Sequence, residues 1–257
     1  MTSSLAEPLL EARNVAKTFG HVQALRGADF AVGAGEVVAL MGDNGAGKST
    51  LIKILSGVQP PTSGEVLMDG EPVELRSPDA ARALGIETVY QDLALADSLD
   101  AASNLFLGRE HMRSGLLGRL GFLDKKAMRN EAARVFSELS VTVTPSGQTV
   151  RGMSGGQRQG VAVCRAVMWA NRVVFMDEPT AALGVAQTRN VLDLIKRVRD
   201  RGIAVVLISH SVPDVLDVAD RIEVLRLGRR VARLDARVTN TQEVVAAITG
   251  ARQEEMR

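Results

Sequence analysis

The octapeptide Gly42-Asp43-Asn44-Gly45-Ala46-Gly47-Lys48-Ser49 constrains this chain more than any other stretch. It fits G-x-x-x-x-G-K-[ST], and Thr50 follows it. The apolar run Glu36-Val37-Val38-Ala39-Leu40-Met41 leads into it. A helical pattern from Lys48 to Leu55 leads out, with Leu51, Ile52 and Leu55 on one face before Gly57. Glycines at this spacing let backbone N–H groups curl around phosphate oxygens, and the helix start adds the positive end of its dipole. Lys48 supplies a point charge to the β- and γ-phosphates of a nucleotide, and the Ser49 hydroxyl is a ligand for Mg²⁺. A strand–loop–helix context around this motif predicts a phosphate-binding loop over residues 42–50.

The rest of the chain fits an α/β fold. Arg172-Val173-Val174-Phe175-Met176, Ala204-Val205-Val206-Leu207-Ile208 and Arg221-Ile222-Glu223-Val224-Leu225 join Glu36–Met41 as short apolar runs. The continuous ones read as strands covered on both faces of a parallel sheet. Gln187 to Asp200 reads as a helix, with Val191, Leu194, Ile195 and Val198 on one face and Gly202 as its stop. Strands alternating with helices imply this class. Two regions break the alternation. Gln59 to Leu75 is turn-rich and encloses Glu65-Val66-Leu67-Met68, a hairpin-like arrangement. Asp92 to Thr149 lacks strand runs and carries the charged helix Asp124 to Leu139, so it reads as a helical insertion. Arg237 to Arg257 reads as a short helix with a charged tail. A length of 257 residues suits one core with a smaller insert.

Asp177-Glu178 follows the run that ends at Met176. An Asp at the end of a buried strand beside a phosphate loop can hold magnesium through water. Glu178, one residue on, points to the other side of the chain and can take a proton from an attacking water. Composition excludes other classes. A net charge of +1 gives no general pull toward nucleic acid. The lone Cys164 rules out an internal disulfide and reads as a small buried residue. Met1 to Arg13 lacks the pattern of a secretory signal, and no span approaches the roughly 20 apolar residues needed to cross a bilayer.

Met153-Ser154-Gly155-Gly156-Gln157-Arg158-Gln159 narrows the reading. It resembles the signature of the ATP-binding cassette (ABC) family, with Met in place of the usual Leu, and lies a short way before Asp177-Glu178. The resemblance spans about Leu9 to Gly228. It implies a P-loop NTPase (RecA-like) parallel sheet core with an antiparallel β subdomain and a helical insertion. The ATPase unit would cover residues 5–236, the helical subdomain about 92–152 within it, and a C-terminal helix and tail 237–257. It implies that Phe19 stacks on adenine and that Gln91 senses the γ-phosphate and magnesium. His210 would contact the γ-phosphate beside the catalytic Glu178. Mg²⁺ would be held by Ser49, Gln91 and Asp177. Ser154, Gly155, Gly156 and Gln157 would grip ATP bound to the phosphate loop of a second copy, packed head to tail. His21 and His111 receive no role.

One departure stands out. After Glu178-Pro179-Thr180 the family usually has Ser-Ala-Leu-Asp, whereas this chain has Ala181-Ala182-Leu183-Gly184, so the carboxylate that commonly meets the opposing subunit is missing. Ala181 to Thr188, Ser103 to Glu110 and Ser209 to Val215 resemble the ATPases of bacterial monosaccharide importers. That likeness implies ATP as substrate, a transmembrane permease, an external sugar-binding protein and a place on the cytoplasmic face of the membrane. A soluble ABC ATPase of translation, repair or cofactor assembly is the competing class, yet no paired cassette, coiled-coil insert or basic segment appears. A P-loop kinase would leave the signature and Gln91 unexplained. An exporter would more often fuse cassette and membrane span.

Overall fold

The computed structural model describes residues 8–145, 147–181 and 183–251. Ala182, the first residues of the expected ATPase unit (5–7) and the tail from 252 lie outside the described residues. The chain opens with β1 (Leu10–Phe19), β2 (Val22–Val32) and β3 (Val37–Met41), then α1 (Lys48–Leu55). β4 (Ser63–Met68), β5 (Glu71–Pro72), α2 (Pro78–Ala83) and β6 (Ile86–Val89) follow. Next come three helices, α3 (Ala101–Leu105), α4 (Leu116–Arg119) and α5 (Lys125–Glu138), and then α6 (Gly155–Trp169). The last part alternates: β7 (Val173–Asp177), α7 (Val185–Asp200), β8 (Ala204–Ile208), α8 (Val212–Val218), β9 (Arg221–Arg226), β10 (Arg229–Asp235) and α9 (Thr241–Thr249).

Two sheets organise these elements. The larger has the order β10-β9-β3-β8-β7-β6, and only the β9–β10 pair is antiparallel. The smaller, β2-β1-β4-β5, is antiparallel throughout. The four apolar runs read from the sequence are β3, β7, β8 and β9. Their alternate side chains sort to opposite faces, as strand geometry requires. Val37, Ala39, Met41, Val174, Met176, Val205 and Leu207 face a core shared with α3, α5, α6, α7 and α8. Val38, Leu40, Val173, Phe175, Val206 and Ile208 face a second core formed with α1 and the smaller sheet. Both faces are therefore covered, which is why these runs show no polar alternation.

β1 and β2 have no apolar run that announces them. Their pairing shifts register between Ala12 and Val15 and again beyond, with Asn14 at φ 47°. Bulges of this kind change which residues face inward, so the two-residue period is lost along the strand. Between residues 92 and 152 the chain forms α3, α4, α5 and one 3₁₀ turn, and its strand-like contacts are the isolated bridges Asp100–Thr149 and Met112–Leu123. α5 is capped at Asp124, whose carboxylate accepts from Ala127 N–H at 3.0 Å. Its buried stripe is Met128, Ala132, Val135 and Phe136.

Candidate functional site

The parallel order of the large sheet brings four chain segments to one edge. β3 delivers the phosphate loop, β8 delivers Ser209 and His210, β7 ends on Asp177, and β6 runs into Tyr90 and Gln91. Registers Leu40–Ile208, Asp177–Ile208 and Val89–Met176 keep these strand ends level. Ligands of open α/β sheets bind at such carboxyl ends.

The loop itself is built closely against its neighbours. Gly42 has φ 150°, and a Cβ there would meet Leu225 O at 2.2 Å. Gly47 has φ 105°, and its Cβ would meet Leu25 and Ala24 O at 2.7 and 2.8 Å. Only glycine fits both the backbone angles and the space. Gly228, in the β9–β10 turn, braces the loop from beneath: its N–H donates to Ala46 O at 3.0 Å, and its carbonyl accepts from Arg26 N–H at 2.8 Å. Lys48 is only 7% exposed and donates from Nζ to Gly42 O at 2.7 Å and Asp43 O at 3.0 Å. Burial lowers its pKa, opposed by Glu178, Asp43 and Asp177. α1 starts with no acidic residue and no side-chain cap on Gly47, so its first N–H groups remain free for an anion.

Asp177 is half-buried. Desolvation raises its pKa first and neighbouring Glu178 second, while Lys48 and His210 pull it down. Glu178 leaves the strand at φ 50° and anchors its N–H on Ile208 O at 2.9 Å. Its Oε1 lies 2.7 Å from His210 Nε2. A left-handed non-glycine residue at a strand end is a strained conformation, held here by that bond and by the imidazole. A carboxylate positioned by a histidine can accept a proton from water. Gln91 is exposed, and with Tyr90, Asp92, Ala94 and Asp177 it lines an open depression of about 610 Å³.

The exposed Ser49 hydroxyl makes no hydrogen bond among the described residues, and Gln91 and Asp177 share that depression. Their donors are all oxygens, which suits Mg²⁺. Among the described residues no cluster of three or more His, Cys, Asp or Glu side chains can hold a metal. Mg²⁺ usually takes few protein oxygens and keeps several waters beside substrate phosphates, so such a cluster is not needed. Phe19 sits at the tip of the β1–β2 hairpin, half-exposed, with Lys17 Nζ 5.4 Å from its ring centre.

Ser154, Gly156 and Gln157 line a different recess, with Thr142 and Gln187. The segment opens α6 with a capping box: Ser154 Oγ accepts from Gln157 N–H at 3.2 Å, and Gln157 Oε1 accepts from Ser154 N–H at 3.0 Å. Gly156 packs under Gln187, where a Cβ would approach to 2.8 Å. Gly184, in place of the usual Asp, becomes the N-cap of α7 without any side-chain cap bond.

Sequence reasoning missed several neighbours of these groups. Arg165 on α6 donates to Ala94 O at 2.7 Å and Leu93 O at 2.9 Å, clamping the segment just after Gln91. Both carbonyl-bearing residues have positive φ. Thr180 Oγ1 donates to Asp214 at 2.9 Å, tying the segment after Glu178 to α8. These are contacts between distant positions, and no local pattern signals them. Cys164 is fully buried and its thiol pKa is pushed up by desolvation, as expected of a packing residue. A groove of about 310 Å³ adjoins Tyr90; Glu87, Leu107, Arg109 and Trp169 line it. Arg109 pairs with Glu87 at 2.8 Å and stacks 4.7 Å over the Trp169 ring centre.

Comparison with known proteins gives a consistent picture. The family model described as ABC transporter matches residues 25–181. A fructose import ATP-binding protein of Rhizobium meliloti is 50% identical over 249 residues, 96% of each chain. A xylose/arabinose import ATP-binding protein of Sulfolobus acidocaldarius is 44% identical, over 94% of each chain. A ribose import ATP-binding protein of Yersinia pestis is 42% identical over 95% of this chain, which spans 46% of that longer protein. Among solved structures, a nucleotide-free ATP-binding cassette from an ABC transporter aligns with a TM-score of 0.77 at 23% identity, over 94% of this chain and 95% of that one. It supports the fold. A dimeric post-hydrolysis cassette bound to ADP and phosphate aligns at 0.73 and 25% identity, over 90% of this chain and all of that one.

Proposed function

The chain belongs to the ABC transporter family, and from that premise we propose that it is the ATP-hydrolysing subunit of a monosaccharide importer, working as a head-to-tail pair beneath a permease. The observation that carries this reading is a division within one chain. Phosphate loop, Asp177, Glu178, His210 and Gln91 gather at one sheet edge, while the self-capped helix start at Ser154–Gln157 borders a separate recess. Two copies facing each other place the second element over the ATP held by the first. One loop cannot enclose a triphosphate, and hydrolysis requires water to be excluded except for the attacking molecule.

In that closed pair, Lys48 and the N–H groups of 42–50 hold the phosphates, and Phe19 stacks on the adenine. Glu178 accepts the proton of the attacking water, oriented by its 2.7 Å contact with His210, and His210 stabilises the γ-phosphate. Ser49, Gln91 and, through water, Asp177 hold Mg²⁺, whose chemistry when bound is neutralisation of charge on the β- and γ-phosphates. Arg165 carries movement of the segment after Gln91 to α6 and so to the signature. The 92–152 region moves with it as a subdomain of the 5–236 unit, and its groove at Leu107, Arg109 and Trp169 seats a permease segment. No helix among the described residues is long and apolar enough to cross a membrane; docking on that permease holds the chain at the cytoplasmic face. An external sugar-binding protein supplies specificity.

Sugar import, rather than a non-transport role, is supported by the names of the relatives that match this chain over 94–96% of their length. The test is uptake of labelled fructose, xylose and ribose by cells lacking this chain. Uptake of one sugar should be lost, restored by the wild-type chain and not by Lys48→Ala. Unchanged uptake of all three, with growth on other substrates impaired, would remove the monosaccharide assignment.

A further inference from the structure

The other exposed large apolar side chains are scattered along the chain, but Met112, Leu116, Leu117, Leu120 and Phe122 fall together in one short excursion between α3 and α5. Leu116 is 72% exposed, Leu120 65% and Phe122 54%. The excursion has a built shape. Its stem is tied by Arg113 N–H to Phe122 O at 2.9 Å and Asp124 N–H to His111 O at 2.6 Å. Its tip is the single turn α4, closed by Gly121 N–H to Gly118 O at 3.0 Å and Phe122 N–H to Leu117 O at 3.1 Å. A Cβ on Gly118 would meet Arg113 O at 1.8 Å, so glycine lets the tip fold back on the stem. Every residue from 112 to 122 except Gly118 is exposed. An apolar cluster held in water by ordered backbone marks an interaction surface.

Charge identifies the partner. Arg113 in the stem, Arg119 in the tip, and Lys125, Lys126 and Arg129 at the start of α5 make no ion pair among the described residues; Arg109, by contrast, is held by Glu87. From Glu110 to Glu131 these five cations outnumber the three carboxylates, Glu110, Asp124 and Glu131, so the stretch is net positive. Leucine and phenylalanine on a protrusion flanked by free cations suit the boundary between anionic headgroups and acyl chains. The stem begins directly after Leu107–Arg109, which line the groove assigned above to the permease, so the tip lies on the same flank. We propose that residues 112–122 form a lipid-contacting finger that dips into the anionic surface of the membrane beside the permease. This rests on the membrane-side reading of the groove.

The test is flotation of the purified full chain with protein-free vesicles, either phosphatidylcholine alone or equal parts phosphatidylcholine and phosphatidylglycerol. Binding should occur with the anionic vesicles only and weaken as salt rises. Arg113→Glu with Arg119→Glu should weaken it roughly thirty-fold or more. Leu116→Asp with Leu120→Asp should abolish it. Both variants should keep basal ATP hydrolysis and the melting temperature of the parent, which separates loss of lipid contact from loss of fold. Equal binding to both vesicle types, no binding to either, or variants that bind like the parent would overturn the proposal. So would binding only to vesicles that carry the permease, which would make the finger a protein contact. Absence of ATP hydrolysis in the parent would instead count against the functional reading and leave the vesicle result standing.

Discussion

The phosphate loop and the signature segment are both glycine-rich turns that open a helix, yet the fold treats them oppositely. The loop is pressed between β2, β9 and the Gly228 turn, its lysine is buried, and its helix start carries no cap. The signature is exposed and satisfies its own N–H groups with Ser154 and Gln157. One is preorganised by tertiary contacts and already poised to take an anion. The other caps itself with local bonds, with Gln157 Nε2 also donating to Thr142 O at 3.4 Å, and in the proposed dimer it exchanges those caps for a phosphate. The difference is what the proposed two-copy site requires, one half binding first and the other closing over it.

Four substitutions probe that contrast, from the largest effect down. Glu178→Gln should leave ATP affinity near the parent value while turnover falls on the order of a thousand-fold, and an ATP-held dimer should accumulate on size exclusion. Near-normal turnover would take Glu178 out of the role of base. Ser154→Asp keeps a good N-cap but sets a negative charge where a phosphate must approach. Stability and monomer ATP binding should hold while turnover drops by roughly ten-fold or more; Ser154→Ala should additionally lose about 1 kcal/mol of stability. If both variants turn over normally, the signature does not face phosphate.

Gly228→Ala tests the brace under the loop. At φ 77° its Cβ meets Ala24 O at 2.8 Å and Arg26 N at 3.1 Å. ATP affinity measured by titration should fall by roughly ten-fold, for about 1–2 kcal/mol of strain transmitted to the loop, with dimer closure at saturating ATP unaffected. The smallest effect concerns Asp177. Its folded pKa is raised by burial and by Glu178. Ionisation therefore costs stability above the ordinary carboxylate pKa, and the cost is relieved as pH falls through the raised value. Asp177→Asn should raise the melting temperature of the nucleotide-free protein at neutral pH, by roughly 2–4 °C per kcal/mol regained. That gain should vanish in acid, while Mg²⁺-dependent turnover is lost. A lower melting temperature at neutral pH would contradict the electrostatic account.

Which parts were legible follows from how local their causes are. The strands β3, β7 and β8 carry continuous apolar runs because both faces of the sheet are covered, β9 carries a shorter one, and α1 and α7 carry apolar stripes ended by glycine stops. The phosphate loop is legible because its glycines and lysine answer a backbone requirement within eight residues. β1 and β2 escaped because bulges change their phase, and β6 because four residues with Glu87 and Thr88 at the centre carry little pattern. The groups that support the site, Gly228 under the loop, Arg165 on the Leu93 and Ala94 carbonyls, Asp214 on Thr180, touch it only after folding.

By itself, then, the amino-acid order determined the chemistry on offer: a phosphate cradle, a carboxylate pair, a histidine, a glutamine and a second glycine turn. Each is written in neighbouring residues whose backbone and side-chain demands are local. What the tertiary structure decided is which of them meet. The strand order β9-β3-β8-β7-β6 aligns Lys48, His210, Glu178, Asp177 and Gln91 along one edge, because parallel strands end level only when their registers match across the sheet. The same packing sets Ser154, Gly156 and Gln157 in a separate recess with Thr142 and Gln187, a setting that the local sequence does not announce.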